Sequence, residues 1–392
     1  MAQHRRDRDG DDSAPQRRGV SRGLLFGIIT VMIIVAMVVA WQHFAGRSDD
    51  EGNSAARSCV KGELPVAVVV SPDIAPALTA AATEFAGTNP VVRDRCIRIN
   101  VRAGDARVTL NGLAGTWDTA SMGARPAAWI PQSTIWSAEL ATARSGAIEG
   151  TPASLVTTPV VLAVQPQLGD AVKNGLQWSQ LPTLQETDGS LSSVGLPGIG
   201  SLRMAMPRGA QSDATSLAAQ AVTSSITQST GPLTAADAAL PRTTSVVNAL
   251  INGAPDTPDG TAASALTAIG SDLTTSRIRA VPITEQELYQ LTKDDTTARV
   301  TQIVPDGPTP IADYPLIRLA GEQVPTEASE GVAEFFDFVT TPRQLGRLTA
   351  LGFRGDAPLP AATATVSFPR TPNPMPAPEN AAAVTVNKLV YR

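Results

Sequence analysis

From Leu64 onward the chain alternates short, continuously apolar runs with segments whose apolar residues recur at helical spacing. Leu64–Val70 is Val-rich and apolar throughout, which predicts a strand buried on both faces. The segment SPDIAPALTAAATEFAG follows, with Ile74, Leu78, Ala81, Ala82 and Phe85 on one helical face and Gly87 at its end. Ser71 is its expected cap, with Pro72 in the first turn and Asp73 favouring the positive helix end. The pattern then predicts a strand at Ile97–Val101, a helix around Val108–Leu113 and a strand at Ala127–Ile130. A helix carrying Trp136 and Leu140 comes next, capped by Ser133 or Thr134. Three strand-then-helix units in succession predict a parallel sheet with crossover helices.

Ser154–Val164 reads as one long strand, and 183–199 and GAPDTPDG as loops. Leu202–Met206 reads as a strand, followed by a helix opened by Ser212, Asp213, Thr215 and Ser216. A helix at Ala262–Ile269, a strand at Ile278–Ile283 and the helix EQELYQLTKD follow. Strands at Val300–Val304 and Tyr314–Leu319 precede a long amphipathic helix that Pro342 splits. Residues 361–392 are proline-rich and expected to form an extended linker or disordered end. The order predicts an α/β protein of two lobes. Residues 59–162 and 300–360 form lobe 1 and residues 163–299 form lobe 2, joined by two chain crossings as in a hinged, cleft-forming binder.

Upstream, Leu24–Trp41 is apolar and uncharged, spanning about 27 Å as a helix. Arg5, Arg6, Arg8, Arg17, Arg18 and Arg22 precede it, while Arg47, Asp49, Asp50 and Glu51 follow. That asymmetry predicts a cytoplasmic tail (1–22), an uncleaved signal-anchor across the cytoplasmic membrane (23–46), a stalk (47–58) and an extracytoplasmic main domain. Composition narrows the chemistry. The net charge is −5 with 17% charged residues, so nothing suggests nucleic-acid binding. Both histidines, His4 and His43, lie before Phe44, which removes Ser-His-Asp and Cys-His catalysis and His-ligated zinc from the main domain. An exported domain permits a disulfide, and the two cysteines allow one pairing. Cys59 and Cys96 each precede one of the first two strands; parallel neighbours would bring them within bonding reach.

Several segments, in order, resemble type II periplasmic solute-binding proteins: SPDIAPALTAAATEF, WIPQSTIW, TTPVVLAVQP, LRMAMPRGAQSDATSLAA, RIRAVPITEQELY, VPDGPTPIADYPLIRLAG and FFDFVTTPRQLGRLTALGFRG. More narrowly they resemble membrane-anchored actinobacterial ectodomains of this kind, many of which carry a von Willebrand factor A domain that has no counterpart in this sequence. The resemblance implies a ligand held between the lobes by strand ends and helix starts, as the rule for open α/β sheets also expects. Ser71, Asp73, Ser133, Thr134, Trp136, Ser212 and Thr215 are the candidate ligand-binding residues. Asp73 and Asp213 would repel an anion unless they point outward. Asp188-Gly189-Ser190-Leu191-Ser192 has the letters of a metal-dependent adhesion motif but follows no buried strand. Ser58-x-x-Lys61 has the letters of an acylation motif but runs into a strand. The acidic pair Glu285 and Glu287 reads as a solvated helix face. No catalysis and no cofactor are expected. The expected function is the binding of a small-molecule solute; the alternative is a ligand-free envelope scaffold that engages a protein partner.

Overall fold

The computed structural model describes residues 59–392 except 174, together with Met32 and residues 34–39. Those N-terminal residues are helical and their apolar side chains, Ile34, Val35 and Met37 among them, are exposed. The remainder of the expected tail, membrane segment and stalk lies outside the described residues. Among the described residues no helix is long and apolar enough to cross a membrane. The chain divides at Ser58/Cys59, and everything that follows concerns residues 59–392.

Ten strands form two sheets: β1 (Glu63–Val70), β2 (Val91–Val92), β3 (Arg95–Ala103), β4 (Ala128–Ile130), β5 (Ala153–Ser154), β6 (Thr158–Val164), β7 (Ala280–Thr284), β8 (Thr301–Ile303), β9 (Ile311–Ala312) and β10 (Pro315–Arg318). The first sheet has the order β2-β3-β1-β4-β10-β5 and the second the order β7-β6-β8, with β9 also on β6. β1 lies parallel to β3 and to β4, as the alternation of strand and helix predicts. The apolar run Ser154–Val164 is divided between the sheets: β5 pairs with β10, whereas β6 is the centre of the second sheet. The chain therefore crosses between sheets at 154–158 and returns at 312–315, the stretch that carries Asp313 and Tyr314. Every residue of β6 and β7 is buried, which is why neither alternates. Leu202–Met206 is not a strand; Met204 makes a single bridge to Ala280.

Register confirms the expected disulfide. Glu63 pairs with Cys96, so Cys59 sits beside it with a Cα–Cα distance of 5.2 Å and the two cysteines are bonded. Closing that loop restricts the unfolded chain and contributes about 4 kcal/mol on a chain-entropy account. One apolar core runs through both sheets, from Val68, Ile97 and Phe335 to Leu162, Trp178 and Phe353.

The proline-rich end departs from expectation. Its last part is a helix, Asn380–Val390, with Ala382, Val386 and Val390 fully buried. It packs on the Ile135–Ala143 helix of the first sheet's side and on the Asp213–Thr227 and Pro241–Asn252 helices of the second. Asn387 donates to Glu139 at 2.6 Å, and the Ala235 N–H donates to Glu379 at 2.8 Å. The alanines and valines of NAAAVTVNKLV supply a helical apolar face that the preceding prolines mask in a compositional reading.

Candidate functional site

The two chain crossings bring the end of β1, the segment after β4, the 312–315 return and the start of the Asp213–Thr227 helix to one place between the sheets. Ser71, Asp73, Ser133, Thr134, Trp136, Ser212 and Thr215 lie on or beside these segments, but the expected side-chain caps are not made. Ser71 is buried, and its N–H donates to Ile130 at 2.8 Å. It does not cap a helix: the helix begins at Ala75, with Ile74 at the cap position and no side-chain cap. A helix begun at Pro72 would need an N–H from Pro76, which has none. Asp73 instead turns inward. Its carboxylate accepts from the Ile74 N–H at 3.0 Å, from Gln132 Nε2 at 3.0 Å and from the Tyr314 hydroxyl.

Neither Ser133 nor Thr134 caps the Ile135–Ala143 helix through its side chain. Asp313 serves that helix start from across the return segment, accepting from the Thr134 N–H at 2.8 Å. Ser133 is freed to reach across the sheets. Its Oγ donates to Asp213 Oδ2 at 2.8 Å, and Trp136 Nε1 donates to the same oxygen at 2.8 Å. Asp213 is the first residue of its helix and only 4% exposed. Ser212 donates to the Gly209 carbonyl and lies 3.4 Å from the Tyr391 hydroxyl. Thr215, Ser216 and Gln220, in the same helix, are buried, and Thr215 Oγ1, Ser216 Oγ and Gln220 Nε2 have no hydrogen-bond partner. Tyr391 closes the outer side, tilted against Trp136 with ring centres 6.1 Å apart and covered by the Arg107 guanidinium.

Both acids that would repel an anion therefore face inward. Gln132, Asp313 and Tyr314 are members of the site that sequence reasoning did not single out. Tyr314 is held at φ 41°, a left-handed backbone rarely taken by an aromatic residue. Glu285 is not on a solvated face: it is fully buried, bonded by Arg354 at 2.6 Å and Gln302 at 2.9 Å. Trp129 fills the core beside Trp117 and Trp136.

Burial dominates the electrostatics. It pushes Asp213 up to about 7, against the opposing bonds from Ser133 and Trp136, with Asp73 and Asp105 adding. It pushes Asp313 up to about 6 against the Thr134 bond, and Glu287 up to about 8 with Asp73 adding. Beside this acid cluster lies a cavity of about 100 Å³ bordered by Thr134, Leu217, Gln220, Asp313 and Met375.

Two sheets joined by two crossings, with polar groups converging between them, are the architecture of a bacterial binding module. The bacterial extracellular solute-binding protein family matches residues 66–354, and the chain belongs to it. Two uncharacterized Mycobacterium tuberculosis proteins, from different strains, are each 34% identical over 368 residues, covering 93% of this chain. The chain spans about half the length of these relatives, 53%. Among solved structures, iron-bound HitA from Pseudomonas aeruginosa superposes with a TM-score of 0.56 at 13% identity, over 84% of this chain and 97% of that one. AfuA from Actinobacillus pleuropneumoniae, with fructose-6-phosphate bound, gives 0.54 at 9% identity, over 84% and 97%. These likenesses establish the fold.

The three raised carboxyls fix a pH dependence. Folded, each keeps its proton to a higher pH than the ordinary carboxylate range; unfolded, each releases it there. The folded state thus binds more protons between about pH 4 and 8. Stability is expected to fall as pH rises from 5 to 8, and Asp213→Asn to flatten the slope. Thermal unfolding across that range checks this; a flat or rising profile for the unaltered chain contradicts it.

Proposed function

We propose that the chain is a membrane-anchored, extracytoplasmic solute-binding module whose interlobe site takes a small neutral or cationic polar solute. The observation that carries the solute class is the acidic, acceptor-rich lining of the site. Asp73, Asp213, Asp313 and Glu287 lie between the sheets, and among the described residues no lysine or arginine forms an ion pair with any of them. An anion entering there would lose water and meet mainly acceptor oxygens, whereas an ammonium or a hydroxyl donor would satisfy them. Asp73, Gln132, Ser133, Trp136, Asp213, Asp313 and Tyr314 are the residues assigned to the solute, with Ser71, Ser212 and Thr215 behind them. Opening must break the Ser133–Asp213 and Trp136–Asp213 bonds, so solute entry and hinge motion are coupled.

A second reading, the ligand-free envelope scaffold, draws support from the same direct bonds across the sheets and from the Asn380–Val390 helix packed on both sides. Thermal unfolding of the full chain with separate panels of amines, sugars and oxyanions separates them. A hundredfold excess over Kd stabilises by about 2.7 kcal/mol. The binder reading expects a shift with an amine or sugar and none with phosphate or citrate. Shifts with oxyanions alone would refute the argument from the lining, and no shift with any panel would favour the scaffold.

Anchoring is supported by the uncharged run Leu24–Trp41, its arginine-rich upstream flank and the exposed apolar side chains of residues 34–39. A tag at Met1 should survive protease added outside intact cells while the main domain is degraded. A soluble mature form starting after Trp41 would contradict the anchor.

A further inference from the structure

The bonds at Asp213 have the form of a bound carboxylate. A hydroxyl and an indole N–H from one side of the site converge on a single carboxylate oxygen at 2.8 Å each, and that carboxylate is carried by the other side. The Asp213 N–H reaches back to Gln132 Oε1 at 3.4 Å. In the first turn of the same helix, the buried Thr215 and Ser216 hydroxyls have no partner. Two donors are thus engaged by one carboxylate oxygen, and two further hydroxyls are buried in the same helical turn.

We infer that Asp213 is a resident ligand of this site, its side-chain carboxylate filling the position that Ser133 and Trp136 would otherwise offer to an external carboxylate. The inference rests on the reading of the space between the sheets as the module's binding site, and it deepens that reading by naming the residue that sets its selectivity. With its own carboxylate in place, the module rejects anions by occupancy of these donors. With that carboxylate removed, the donors lose their acceptor, a costly state for buried groups. A free carboxylate small enough to enter should then restore them.

Chemical rescue tests this. In the full chain Asp213→Gly deletes the carboxylate and leaves Ser133 and Trp136. Thermal unfolding is followed in sodium acetate and in sodium chloride of equal ionic strength. Acetate is expected to raise the midpoint of Asp213→Gly by several degrees over chloride, and to leave the unaltered chain and Asp213→Asn unmoved. Adding Ser133→Ala and Trp136→Phe to Asp213→Gly should abolish the effect. An Asp213→Gly protein that acetate does not stabilise overturns the inference. So does an equal acetate effect on the unaltered chain, or rescue that persists without both donors. Should Asp213→Gly not fold in chloride, recovery of folded protein on refolding in acetate is the same readout, and no recovery in either salt overturns it. Failure here is separable from failure of the solute panels. The panels read what the unaltered chain accepts, and the rescue reads what its donors accept once Asp213 is gone.

Discussion

A carboxylate held away from water between two sheets is the constraint around which this module is built. Asp213 can be buried only because Ser133 and Trp136 arrive from the opposite side with donors aimed at one oxygen. Those donors are where they are because β4 is fixed between β1 and β10, which places the segment just after β4 over the start of the Asp213–Thr227 helix. The same segment supplies Gln132 to Asp73, and its Thr134 N–H is held by Asp313. Three acids thus anchor three parts of the fold to one short stretch, Gln132–Trp136. A shift of either sheet would strand several buried polar groups at once, which makes the closed arrangement a cooperative one.

Family membership establishes a solute-binding fold, and the side chains between the sheets set the chemistry proposed for it. The C-terminal part adds a feature beyond the family-matched segment, which ends at residue 354. The Asn380–Val390 helix and Tyr391 lie over the outer side of the site and touch both halves. Separating the two halves would disturb not only the two crossing strands but also an apolar cluster that includes Ala219, Val247, Val386 and Val390.

What the sequence disclosed follows the range of the interactions. Continuous apolar runs placed β1, β3, β4, β6 and β7 to within a few residues, and their order gave the parallel pairing that brings Cys59 to Cys96. Leu202–Met206 was misjudged because an apolar run alone does not supply a pairing partner. Helix starts were misjudged for a different reason. Local rules assign caps to the nearest serine or threonine, but Asp313, 179 residues away from Thr134, takes that place. Gln132 and Tyr314 were overlooked because their roles depend on contacts with Asp73 at separations of 59 and 241 residues. Which way Asp73 and Asp213 face is likewise decided by tertiary structure.

The Trp136 indole N–H reports the central bond directly. Its hydrogen exchange can be followed by NMR, assigned with Trp136→Phe, with the Trp129 indole as an internal control that is equally buried but unpartnered. The account predicts slow exchange at Trp136 in the unaltered chain, marked acceleration in Asp213→Ala and no change at Trp129. Rapid exchange in the unaltered chain, or equal protection in Asp213→Ala, would contradict the claim that Asp213 ties the two halves together.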